Sequence, residues 1–141
     1  MSGELGRPIE RLDRASVESG SVVLDALDHH RAVGFLVAGD PFAATTHVAL
    51  RISAEDRGHS WRYLPNATIL TAAAGFLGLQ SYRFGRVVSI PFPEPGFAPT
   101  SPLEQIRANW TAGLHTLVLL DLRPSEGRYL TAREALRILE E

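Results

Sequence analysis

Asp40 stands between a glycine and a proline at the end of the apolar run AVGFLVA, and Phe42-Ala43-Ala44-Thr45-Thr46-His47 follows. A carboxylate at a strand tip, with hydroxyls and the open N–H groups of a helix start behind it, can hold a polar ligand. The same residues could serve a plainer purpose, with Asp40 fixing a turn and the threonines capping a helix. A second such loop is Pro65-Asn66-Ala67-Thr68-Ile69, where a hydroxyl again meets open backbone groups and which also reads as a capped turn. The third candidate is the strand end Leu119-Leu120-Asp121, whose apolar residues equally suit a core. In open parallel α/β sheets ligands bind beyond the carboxyl ends of strands, so these three places come first.

Other chemistry is poorly supplied. Histidines at 29, 30, 47, 59 and 115 show no His-x-x-x-His or mixed carboxylate spacing, so no metal is expected, and His47 and His115 read as hydrogen-bonded structural residues. Glycines occur singly rather than as GxGxxG or a phosphate loop. Ser60, Ser81, Ser89 and Ser101 lack the context of a nucleophile elbow.

The elements that must carry these loops follow from hydrophobic spacing. Val17, Val23, Leu24 and Leu27 suggest a helix ending near His29-His30, with Gly20 as its weak point. Residues 32–38 read as a strand buried on both faces, and Thr45 or Thr46 opens a helix that Gly58 ends near residue 57. Residues 61–64 make the next strand, TILTAAAGFLGL a buried helix, and residues 87–90 a third strand. Prolines at 91, 93, 95, 99 and 102 deny a helix its donors and mark an extended joint. Ser101-Pro102-Leu103-Glu104 then reads as a capping box, before a helix presenting Leu103, Ile106 and Trp110 on one face. LHTLVLL is a further doubly buried strand, and Thr131 with Glu134 boxes a last helix carrying Ala132, Ala135, Leu136 and Leu139. Strands alternating with helices imply the α/β class, with a mostly parallel sheet and helices on both faces.

Composition narrows the setting. The 141 residues, 45% hydrophobic and 21% charged, suit a globular domain. A net charge of −2 exerts no strong pull on nucleic acid or anionic lipid, and neither is expected as a partner. The absence of cysteine removes disulfides and thiolate chemistry and suits a cytoplasmic location. No signal peptide is visible, nor any run of about 18 apolar residues, so no membrane span is expected.

Taken together, GFLVAGDPFAATTH, RYLPNATILTAAAGFLGLQSYRFGRVVSIPF and NWTAGLHTLVLLDL occur in the order and spacing of diphthine synthases, which the chain closely resembles. The flanks GRPIERLDRASVESGS and RYLTAREALRILEE are similar to that family as well. The precorrin and uroporphyrinogen methyltransferases share the fold without these motifs, and a tetrapyrrole methyltransferase is the alternative within it.

The resemblance implies a tetrapyrrole methylase-like fold and methyl transfer from S-adenosylmethionine to the amino nitrogen of a modified histidine on elongation factor 2, within diphthamide biosynthesis. It carries the cofactor contacts onto Asp40, Ala43, Thr68, Ile69 and Leu120. Ala43 stands where many relatives have glycine and Thr68 where many have serine. No dedicated catalytic side chain is expected, because a sulfonium is already a good electrophile and positioning should dominate. Relatives open with a glycine-rich strand and loop that this sequence lacks. Residues 1–98 are accordingly expected to form a partial cofactor-binding domain and 99–141 the start of a second, truncated at both ends and impaired in activity. A homodimer is the expected form, since unpaired sheet edges favour association. The alternative of another class is a non-catalytic dimerisation or regulatory fragment.

Overall fold

The computed structural model describes residues 6, 8–96 and 100–140. The chain forms two compact units, one ending at Thr68 and the other beginning at Ile69. Each follows from its own local signals.

In the first unit, helix α1 (Arg14–Ser19) is capped by Asp13, whose carboxylate accepts from Ser16 N at 2.8 Å. It stops at Gly20, in the left-handed conformation at φ 69°, and α2 (Ser21–His29) starts from that same residue. The single helix expected across Gly20 is therefore two. The glycine is buried, and a Cβ there would lie 3.0 Å from Leu50 Cδ1. Val23 and Leu24 form the buried face of α2. Helix α3 (His47–Asp56) begins at Thr46 and gives way to Gly58 at φ 81°, close to the expected limits, although Thr46 makes no side-chain cap bond.

The strands expected at 32–38 and 61–64 do not form. Along 32–38 burial alternates with a period of two, Val33, Phe35 and Val37 half-buried and Leu36 exposed, so the segment has the periodicity of a strand but no ladder. A strand covered on both faces needs hydrogen-bonded neighbours, and the described residues provide none. Residues 61–64 are exposed and serve side-chain contacts instead. Trp61 Nε1 donates to Glu55, with the Arg51 guanidinium 4.6 Å from the Trp61 ring centre, and Tyr63 reaches Asp40.

The second unit holds the sheet. Strand β1 (Val88–Ile90) pairs in parallel with β2 (Val118–Leu120), in register Val88 with Val118 and Ile90 with Leu120. Helix α5 (Ser101–Thr111) provides the crossover that a parallel pair requires. Its cap falls one residue before the expected box: Thr100 is the N-cap and its hydroxyl donates to Glu104 Oε1 at 3.0 Å. The inward face of α5 is Pro102 and Asn109, whereas Trp110 is 83% exposed. Helix α4 (Ile69–Phe76) forms as the sequence predicts but is not buried, since Ala74 alone is covered and Phe76 is 88% exposed.

The core gathers Ile90, Phe92, Leu130 and Ala135, with Val118, Leu120, Ile138 and Leu139 packed against it. Strands β3 (Leu122–Arg123) and β4 (Arg128–Tyr129) make an antiparallel hairpin that sequence reading missed, turning at Gly127 with φ 64°. Helix α6 (Ala132–Glu140) carries the expected capping box, Glu134 N donating to Thr131 Oγ1 at 3.3 Å and Thr131 N to Glu134 Oε2 at 2.8 Å. It turns Ala135 inward but leaves Leu136 exposed. The architecture is α/β. Its parallel pairing joins residues from both sides of position 98, and the compact units divide at Thr68.

Candidate functional site

Two of the three candidate loops meet at Asp40. Gly39, at φ 76°, delivers it with so little room that a Cβ on the glycine would sit 3.2 Å from Ala67 O. Asp40 Oδ1 accepts from Phe42 N at 2.9 Å, a local turn bond, while Oδ2 accepts from the Tyr63 hydroxyl and from Asn66 N at 3.4 Å. Ala43 N closes the loop by donating to Asp40 O at 3.3 Å. One carboxylate thus ties the first loop to the second, inside the first unit.

The electrostatics follow from those donors. The Tyr63 hydroxyl, then the Phe42 N–H, hold the Asp40 carboxyl below its ordinary range, against a smaller opposing effect of burial. The same bond pushes the Tyr63 hydroxyl up, because losing its proton would set two negative charges together. Tyr63 is steadied by Phe42, ring centres 5.0 Å apart, and Phe42 meets the edge of Trp61 at 6.2 Å. His47 belongs to the scaffold, as expected: its Nδ1 donates to Pro41 O at 2.8 Å, and the ring stands edge-on to Phe35 at 5.0 Å.

Ala44 adopts φ 53°, the one non-glycine residue in the left-handed region among those described. It lines a hollow of about 380 Å³ between Ala44–His47 and the Asp13, Arg14 and Glu18 side of α1. Neither Asp40 nor Ala43 nor Thr68 lines it, so it lies beside the junction rather than over it.

The remaining expected residues are placed as follows. Thr68 is half-buried at the end of the second loop. Ile69, the first residue of α4, is 54% exposed. Leu120 ends β2, opposite Ile90, and packs on the core cluster. Asp121, directly after it, accepts from Phe92 N at 3.2 Å and Leu122 N at 2.9 Å, which fixes that strand end. Tyr63 is what sequence reading missed. The sequence predicts a strand residue at this position, and no spacing rule links position 63 to position 40.

The model of the tetrapyrrole (corrin/porphyrin) methylases matches residues 4–141. The chain belongs to this methylase family. Within it, the resemblance to diphthine synthases is borne out. Those of Methanothermobacter thermautotrophicus and Methanocorpusculum labreanum are each 44% identical, over 96% and 97% of this chain. The alignments reach 51% and 59% of those proteins, so the chain spans about half the length of the curated relatives it matches. A crystal structure of diphthine synthase superposes with a TM-score of 0.84 at 34% identity, covering 99% of this chain and 53% of that one. The methylase fold places the α/β reading on firm ground.

The donor set of the Asp40 junction suits the cofactor this family implies. A sulfonium nucleoside carries positive charge and hydroxyl donors, which a carboxylate held below its ordinary pKa range, as Asp40 is, complements in charge. Phe42 and Tyr63 donate to its two oxygens, with weaker help from the Asn66 and Ala43 N–H groups, so the carboxylate is fixed in place as well as charged.

Proposed function

We propose that this chain is the cofactor-holding part of an S-adenosylmethionine-dependent methyltransferase of the diphthine synthase kind, methylating the amino nitrogen of the modified histidine on elongation factor 2 in the cytoplasm. The observation that carries the reading is the Asp40 junction, an ionised carboxylate shared by two loops in a chain 44% identical to diphthine synthases.

Bound S-adenosylmethionine would supply an electrophilic methyl group on a cationic sulfur. Asp40 would then meet the cofactor's polar part with its ionised carboxylate while keeping the two loops in one arrangement. Ala43 has a side chain too small to cover the backbone beside it. Thr68 adds a hydroxyl. Ile69 and Leu120 enter the proposal from the family resemblance, as apolar contacts. None of the five transfers a proton, so the chain acts by binding and orienting.

Calorimetric titration with S-adenosylhomocysteine tests the reading. Uptake should be measurable and weakened about tenfold in Asp40→Asn, since a neutral amide loses a charge-assisted bond. Labelled methyl should then reach elongation factor 2 bearing the unmethylated histidine adduct. No uptake, under conditions where a full-length diphthine synthase binds, sinks the proposal.

A second reading, a non-catalytic piece that associates with a copy of itself, is favoured by the exposure of Phe76, Leu77 and Tyr82 on and after α4. It predicts a homodimer by sedimentation that Phe76→Asp dissociates, with no cofactor uptake. A dimer that also binds S-adenosylhomocysteine supports the enzyme instead.

A further inference from the structure

We infer that Tyr63 is a positioning residue of the cofactor site, its hydroxyl locking the Asp40 carboxylate across the two loops in the orientation the cofactor meets. The inference rests on the cofactor reading above and goes beyond the five residues that reading names.

The geometry separates two kinds of hold on Asp40. The bond from Phe42 N to Oδ1 spans two residues and would form in almost any turn of this shape. The bonds to Oδ2 come from 23 and 26 residues away, and of these the Asn66 N–H is long at 3.4 Å. The Tyr63 hydroxyl, on the segment leading into the second loop, is the stronger tie between the two stretches. Phe42 acts twice here, its N–H on Oδ1 and its ring against Tyr63 at 5.0 Å, so both carboxylate oxygens are held by one aromatic pair. That pair leads through Trp61 to Glu55 and Arg51 on α3.

Among the described residues, no cation sets the charge of Asp40. Of the titratable neighbours, His47 is turned to Pro41 O, Arg51 lies over Trp61 and pairs with Glu55, and Tyr63 alone touches the carboxylate. Removing the hydroxyl therefore loosens the loop junction and makes Asp40 easier to protonate, which packing alone would not do.

The test uses the full chain with Tyr63→Phe, Asp40→Asn and the double variant. S-adenosylhomocysteine binding is measured from mildly acidic to neutral pH, and the Asp40 carboxyl is titrated by carbon NMR. We expect Tyr63→Phe to raise the Asp40 midpoint, to weaken binding about fivefold at neutral pH, and to move the acid-side loss of binding to higher pH. In the Asp40→Asn background the same change should add nothing. The inference is overturned if binding by Tyr63→Phe matches wild type at every pH. It is equally overturned if the loss is the same at every pH and persists without the carboxylate, which marks ring packing. Wild-type protein that takes up no S-adenosylhomocysteine overturns the cofactor reading and this inference together, whereas silence of Tyr63→Phe alone leaves the cofactor reading standing.

Discussion

The side-chain amide of Asn109 lies so close against Gly85 that a Cβ built on the glycine would stand 2.2 Å from Asn109 Oδ1. Asn109 is buried, and its amide replaces a missing stretch of ladder: Oδ1 accepts from Arg86 N at 3.2 Å, while Nδ2 donates to Arg86 O and to Thr116 Oγ1, each at 2.9 Å. A helix is thereby docked to the backbone leading into β1, which is why α5 turns Asn109 inward and Trp110 outward.

Gly85→Ala should therefore cost about 1–3 kcal/mol in urea unfolding, because the neighbour is a buried, fully engaged amide that cannot move aside. Asn109→Ala should cost about 2–3 kcal/mol by leaving buried partners unsatisfied. The double variant should lose less than the sum, since removing the amide also removes the clash. Additive losses would mean the two residues do not meet.

Gly20 gives a second stability prediction. Alanine there should not fuse α1 and α2 into one helix. It should destabilise by about 1–2 kcal/mol, because the left-handed conformation disfavours a Cβ, and Leu50 Cδ1, 3.0 Å from that Cβ, would have to shift slightly. Unchanged thermal unfolding would show that the turn at Gly20 is readily remade.

Ala44 is the reverse case, a side chain already in the left-handed region. Ala44→Gly should leave stability unchanged or raise it by about 0.5 kcal/mol, relief of strain being partly offset by the freer unfolded chain. Ala44→Val should lower it by about 1 kcal/mol or more, since a β-branched residue is least tolerant of positive φ. Thermal denaturation of the pair distinguishes strain in this loop from its absence.

The capping box sets a pH dependence. The Thr131 hydroxyl and N–H together hold the Glu134 carboxyl below its ordinary value, so the folded state binds that proton less readily than the unfolded chain. The stability this contributes is complete above the ordinary glutamate range and is lost as pH falls through the lowered folded value. The gap in stability between wild type and Glu134→Gln should stay constant from neutral pH down to that range and shrink below it. A gap that is flat down to strong acid would show that the charge of Glu134 contributes nothing.

Much of this fold was legible because its signals are complete within a few residues. Thr131 and Glu134 are three apart and satisfy each other's groups without any other part of the chain. Gly58 ends α3 by its own backbone freedom, and the β-branched run before Pro91 forms β1 as expected. The candidate loops were legible for a related reason. A carboxylate after a glycine at the end of an apolar run is a local pattern, and the three family motifs are contiguous strings.

Read along the chain alone, the residues specify the α/β class, the family likeness, and the placement of Asp40 at the head of the first loop. Tertiary structure decided everything that needs a distant partner. Residues 32–38 keep the periodicity of a strand, yet a ladder depends on a neighbouring backbone that no local pattern specifies. Trp110 belongs to the predicted apolar face of its helix, but the tight fit of Asn109 on Gly85 sets the rotation of that helix. Tyr63 looked like one strand residue among several until folding brought its hydroxyl to Asp40, 23 positions away. Hydrophobic pattern and capping act along the chain, whereas loop closure, pairing and side-chain tethers act across it, and only the folded chain selects among the partners they could take.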